Sequence, residues 1–86
     1  MRITDCLLLL SSLQPSSKLY LLDLEHPLSK ITITKDGVNF ITGEKAMTKE
    51  KLVAILSKNK HKQLVIRYTD QLLFGLQIKD GAIIFV

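Results

Sequence analysis

Apolar residues along this chain switch between two rhythms. Ile3, Cys6, Leu7, Leu10 and Leu13 recur at three- and four-residue steps, which is the period of one helix face, and predict a helix over 5–13. Gln14-Pro15-Ser16-Ser17 ends it, because Pro15 disfavours helical geometry at Gln14 and lacks a backbone donor. The same rhythm returns over 49–59, where Leu52, Ile55, Leu56 and Asn59 share a face, and Lys58-Asn59-Lys60-His61-Lys62 closes that second helix. Elsewhere the period shortens to two, or apolar residues run on without a break, as strands do. Strands are expected over 18–24, 30–35 and 38–42, then over 63–69, 72–79 and 82–86. The cleanest alternation places Leu72, Phe74, Leu76 and Ile78 on one face, opposite Leu73, Gly75, Gln77 and Lys79.

The two halves of this pattern echo each other. KDGVNF begins at Lys35 and KDGAII at Lys79, forty-four residues on, and each reads as an Asp-Gly hairpin. A two-residue type I′ turn needs positive φ at both positions, which Asp tolerates and Gly adopts at little steric cost. Ile3-Thr4 followed by Leu8 matches Met47-Thr48 followed by Leu52 at the same displacement. Thr4 and Thr48 are therefore expected as N-caps, each preceded by an apolar residue that packs against one four positions into the helix. The expected fold class is α+β: two degenerate α-β-hairpin repeats, 1–43 and 44–86, form a single domain over 1–86. Its two helices would pack on a mainly antiparallel five- to six-stranded sheet.

Composition agrees with one folded unit. Eighty-six residues, 47% of them hydrophobic, suit a single core that buries roughly 60–65% of the surface exposed on unfolding. A charged content of 23% and the lack of low-complexity tracts exclude a disordered chain. Cys6 stands alone and forms no internal bridge, which points to a reducing compartment, the cytoplasm. The start MRITDCLLLLSSL has the flavour of a secretory leader, but Asp5 and Ser11-Ser12 interrupt it below the roughly 7–15 apolar residues such a leader needs.

From Met1 to Ile41 the order MRITDCLLLLSSLQPSSKLYLLD, followed by ITITKDGVNFI, resembles small accessory proteins of bacteriophages and prophages. These share a basic residue, an aliphatic one and Asp before a Leu-rich helix, then Ser, Pro and an apolar strand. Leu8 and Leu9 depart from that group, whose helices usually carry Glu or Lys there. The resemblance implies no catalytic residues; it implies a protein of the host or of the phage as partner, and inhibition or modulation as the mode of action. The segment ITITKDGVNFITGEKAMTKEKL is also similar to a periplasmic module of Tol-type energiser proteins, but this chain lacks that module's amphipathic helix between the equivalents of Asp70 and Gly81.

Two surfaces are candidates for function. The first is apolar. Ile3, Cys6, Leu7, Leu10 and Leu13 already supply the stripe that packing on a sheet requires, so Leu8 and Leu9 exceed it. The terminal strand AIIFV is apolar on both faces, which suits a central strand or one completed by a partner. Leu8, Leu9, Ile83 and Phe85 are the expected protein interface, toward a partner protein or a second copy. The second surface is basic. The net charge of +4 lies wholly within 44–62, where six lysines face Glu44 and Glu50. Lys49, Lys51, Lys58, Lys60 and Lys62 are the candidate contacts to DNA or RNA phosphates. Scarce Arg and the lack of Trp argue against base reading and stacking.

Catalysis is not expected. His26 and His61 with Cys6 make a poor metal set, and no cofactor fingerprint occurs. Asp23, Glu25 and His26 suggest acid–base chemistry, yet on a regular strand 23 and 25 share a face that 26 does not. Cys6 falls in the apolar stripe, where a thiol packs and stays inert.

Overall fold

A computed structural model describes residues 1–86. The chain is α+β, with two helices packed on mixed sheets. Its order is α1 (Ile3–Leu10), β1 (Leu19–Leu21), β2 (Asp23–Thr34), β3 (Gly37–Thr42), α2 (Lys49–Ser57), a 3-10 turn (Lys60–Lys62), β4 (Ile66–Tyr68), β5 (Gln71–Leu72), β6 (Leu76–Lys79) and β7 (Ala82–Phe85).

Seven strands, rather than five or six, follow the order β5-β4-β3-β2-β1-β7-β6. Hairpin neighbours pair antiparallel, but β1 runs parallel to β7 and β3 parallel to β4. Both parallel pairs join one half of the chain to the other. The long strand β2 divides its partners: Pro27 pairs with Tyr20 of β1, whereas Leu28 pairs with Thr42 of β3. A register shift between Leu28 and Lys30 bends it there, as bulges do. The two ends of the strand order, β5 and β6, are separated in sequence only by Leu73-Phe74-Gly75. Leu73 N–H reaches the Ile66 carbonyl of β4 at 3.1 Å, while Gly75 and Val86 exchange backbone bonds at 3.2 and 3.0 Å. The sheet thus curls until its last strand returns to its first.

The helices meet this sheet through the same three inner positions. Ile3, Cys6 and Leu10 of α1 are buried, as are Lys49, Leu52 and Leu56 of α2, a constant offset of 46 residues. Phe40 and Phe85 meet edge to face in the core, with ring centroids 5.2 Å apart and planes at 71°, a geometry that favours aromatic pairs. Leu19, Leu21, Leu28, Val38, Ile66, Leu73 and Ile83 complete the same cluster.

Several expectations need correction. Thr48 caps α2 as expected, accepting from Lys51 N–H at 3.3 Å. Thr4 instead lies inside α1, whose N-cap is Arg2, because Ile3 N–H is already bound to the Leu64 carbonyl at 3.0 Å. The two Asp-Gly sequences also form different turns. Asp80 and Gly81 both have positive φ (51° and 80°) and join Lys79 to Ala82, as the type I′ turn demands. In the first hairpin Lys35 and Asp36 are the loop, neither has positive φ, and Gly37 pairs with Thr34 as a strand residue. Its glycine serves close approach instead: a Cβ there would stand 3.2 Å from the Val65 carbonyl oxygen and from Arg67 Nη1. Finally, the alternation over 72–79 has the wrong sense near its start. Leu73 is buried, whereas Phe74 is 78% exposed.

Candidate protein-binding surface

Helix α1 is anchored at its start and greasy on its outside. Asp5 accepts from Arg2 N–H at 3.0 Å, and Arg2 Nη1 donates to the Gln63 carbonyl at 2.7 Å. The helix stops at Leu10, where Ser11 Oγ turns back to the Leu8 carbonyl at 2.7 Å, a bond that competes with helix continuation. With both ends held and the inner stripe enclosed, Leu8 is left 74% exposed and Leu9 43% exposed. At an offset of 46, the matching positions on α2 are Ala54 and Ile55, the first exposed and small, the second half-buried.

Ile83 and Phe85 leave the interface. Both are enclosed, because β7 lies between β1 and β6 and turns these side chains toward the core. Ile84, on the opposite face of β7, is buried too. Of the two readings of AIIFV, the central strand is the one adopted. Ile84 forms the floor of an open cleft of about 400 Å³ lined by Leu22, Asp23, Leu24, Glu25, Gln77 and Lys79. Leu22 and Leu24 are exposed, and so is Phe74, which strand periodicity misplaces. Gly75 was the available signal, since a glycine within a strand pattern marks a bulge or break.

The lysine group also loses a member. Lys49 is buried, and its Nζ donates to the Leu13 carbonyl at 2.7 Å, tying the start of α2 to the segment that follows α1. Lys51, Lys58, Lys60 and Lys62 are exposed.

The irregular start of β2 brings Asp23 and His26 together, contrary to strand alternation. The β1–β2 register shifts between Tyr20 and Leu21, so residue parity no longer predicts facing. His26 Nδ1 lies 2.7 Å from Asp23 Oδ1, which also accepts from Glu25 N–H at 2.8 Å. The Glu25 backbone bond, then the His26 contact, hold the Asp23 carboxyl below its ordinary pKa. Both side chains are open to solvent, which screens their interaction. Burial pushes the Cys6 thiol up to about 12, so it stays protonated and unreactive at neutral pH. No three of the His, Cys, Asp and Glu side chains come together as a metal-holding group. No helix is long and apolar enough to cross a membrane.

Comparison with protein-family models, with curated proteins and with solved structures finds no match to this chain. The surface itself therefore carries the functional reading.

Proposed function

We propose that this chain is a small, non-enzymatic protein-binding module that docks through the outer face of α1. The exposure of Leu8 carries the reading: folding uses the inner positions Ile3, Cys6 and Leu10, all 0% exposed, while Leu8 is 74% exposed beside Leu9. Two adjacent leucines on a capped helix make an apolar ridge, the kind of feature that a partner's groove accepts. By the resemblance of residues 1–41, the partner is a host or phage protein whose activity the module modulates, and the lone Cys6 suits a cytoplasmic setting.

The two-repeat reading of the chain belongs with this proposal. It is supported by the equal offset of the buried helix positions, and by the way Leu28 and Leu73, Val38 and Ile83, and Phe40 and Phe85 all enter the core at an offset of 45. By that comparison the exposed leucines distinguish the first repeat from the second.

The test is Leu8→Glu alongside Leu9→Glu. Partners captured from the native cell are identified, then titrated in purified form against native and variant chains. Loss of binding with unchanged circular dichroism and unfolding midpoint is expected; equal binding by all three would defeat the proposal. A second reading rests on the exposure of Lys51, Lys58, Lys60 and Lys62. It requires DNA or RNA binding that weakens steeply with salt and disappears when Lys58, Lys60 and Lys62 are all changed to Glu.

A further inference from the structure

The two halves hold each other through bonds that come in reciprocal pairs. Ile3 N–H donates to the Leu64 carbonyl at 3.0 Å, and Lys49 N–H to the Ser17 carbonyl at 2.8 Å. Ile66 N–H meets the Met1 carbonyl at 2.9 Å, and Leu19 N–H the Met47 carbonyl at 3.0 Å. Val38 N–H meets Val65 at 2.9 Å, and Ile83 N–H meets Lys18 at 3.0 Å. The bridge Arg2↔Val65 has its counterpart in Lys18↔Thr48. The parallel pair Val38↔Ile66 likewise has its counterpart in Ile83↔Leu19. In each of these pairs one half supplies to the other what it receives, whereas Glu50 N–H to the Pro15 carbonyl at 3.0 Å and Leu22 N–H to the Phe85 carbonyl at 2.8 Å stand without a counterpart.

We infer that the surface between the halves is self-complementary, and that the partner it fits is a second copy of this chain, with which it exchanges halves. This rests on the two-repeat reading. A half by itself leaves the first donors of its helix and one edge of its first strand without partners, and buried backbone groups must be paired. A second copy offers the same donors and acceptors in the same places. Only the connector over 43–46, which follows the Leu28–Thr42 pair at the end of β3, has to change course. Glu44 and Lys45 are exposed, and the connector's own ties are slight: Gly43 N–H to the Pro27 carbonyl at 3.3 Å, and Ser29 Oγ to the Lys45 carbonyl. While the connector is intact, it holds the two halves of one chain at an effective concentration on the order of millimolar, so the monomer prevails at micromolar concentration.

A matching join lies open on the other side. Met1 N donates to the Leu73 carbonyl and Phe74 N–H donates to the Val86 carbonyl at 2.7 Å, so Met1 and Val86 meet on one peptide unit. Met47 N–H meets the Leu28 carbonyl at 2.8 Å in the corresponding place. The connector would therefore serve equally well between Val86 and Met1.

Two variants test this, both in a Leu8→Glu background so that contact through α1 supplies no dimer. The first deletes residues 43–46. Sedimentation equilibrium at micromolar concentration is expected to give twice the mass of the connector-intact chain, with its far-ultraviolet dichroism retained. A folded monomer, or an unfolded chain, overturns the exchange. The second is a permutant running 47–86, then 43–46, then 1–42. It is expected to be a folded monomer with the native spectrum; failure to fold overturns the equivalence of the halves on which the exchange rests. Neither outcome depends on whether Leu8 binds another protein, so the two readings fail separately.

Discussion

Helices α1 and α2 each bury three positions, at a common offset of 46 residues, and present different faces to water. Inward, Ile3, Cys6 and Leu10 correspond to Lys49, Leu52 and Leu56, and all six are buried. Outward, α1 carries Leu8 where α2 carries Ala54, and both positions are exposed. The fold accepts a small residue at this place on α2, so a large apolar one on α1 is not demanded by packing. A second difference is electrostatic. Lys49 enters α2 at a position that α1 fills with Ile3, and the cost of burying its ammonium is offset by the Leu13 carbonyl.

The comparison breaks most visibly at the inner positions. Leu10→Ala and Leu56→Ala should each lower unfolding stability by about 2–5 kcal/mol in urea titrations, since both leave cavities at fully enclosed sites. A loss below about 1 kcal/mol at either site would show that the two helices do not share a packing role.

Alkali should separate the helices next. The Cys6 thiol titrates at 9.0 when unfolded and at about 12 in the fold, because burial disfavours the thiolate. Its stabilising contribution is complete below pH 9 and is lost as pH rises toward the folded value, at about 1.4 kcal/mol per pH unit. Cys6→Ala should remove that slope from stability measured against pH, whereas Leu52→Ala, at the corresponding place on α2, should leave it intact.

At the helix starts, Thr48→Ala should cost about 1 kcal/mol through loss of the bond from Lys51 N–H. Asp5→Ala should cost about 0.3–1 kcal/mol, through loss of a carboxylate near the N-terminus of α1. The smallest effects on stability should come from the outer face. Leu8→Ala and Ala54→Leu should each change unfolding free energy by no more than about 0.5 kcal/mol. Leu8→Ala, which makes α1 resemble α2, should nonetheless weaken partner binding in a direct titration. Equal binding would leave the outer leucine without a role.

Much of the candidate surface was legible beforehand because it is local. The three- and four-residue rhythm of α1 identifies its inner stripe, and the leucines outside that stripe are the ones found in solvent. Phe85 and Ile83 were misplaced for a different reason. An apolar run shows that both faces of a strand are covered but not what covers them, and here the core of the same chain encloses the face that Ile83 and Phe85 share. Lys49 was counted among surface charges because nothing in its neighbourhood announces the Leu13 carbonyl, thirty-six residues away in sequence. The sense of the 72–79 alternation depended on the Leu73 bond to Ile66 and the Gly75 bonds to Val86, which no short window contains.

Sequence by itself determined the kind of elements, the start of α2 and the second hairpin, since these follow from side-chain period, Thr48 as a cap and the backbone freedom of Gly81; α2 itself stops at Ser57, two residues short of the expected end. Tertiary structure alone decided the parallel pairings and the start of α1, and it gave two similar Asp-Gly segments different turns. Gly37 has to make room for the Val65 carbonyl, while Gly81 has nothing near it and is free to take the left-handed conformation. Backbone groups from distant parts of the chain must find partners in one another, and that requirement selects among local conformations of nearly equal energy.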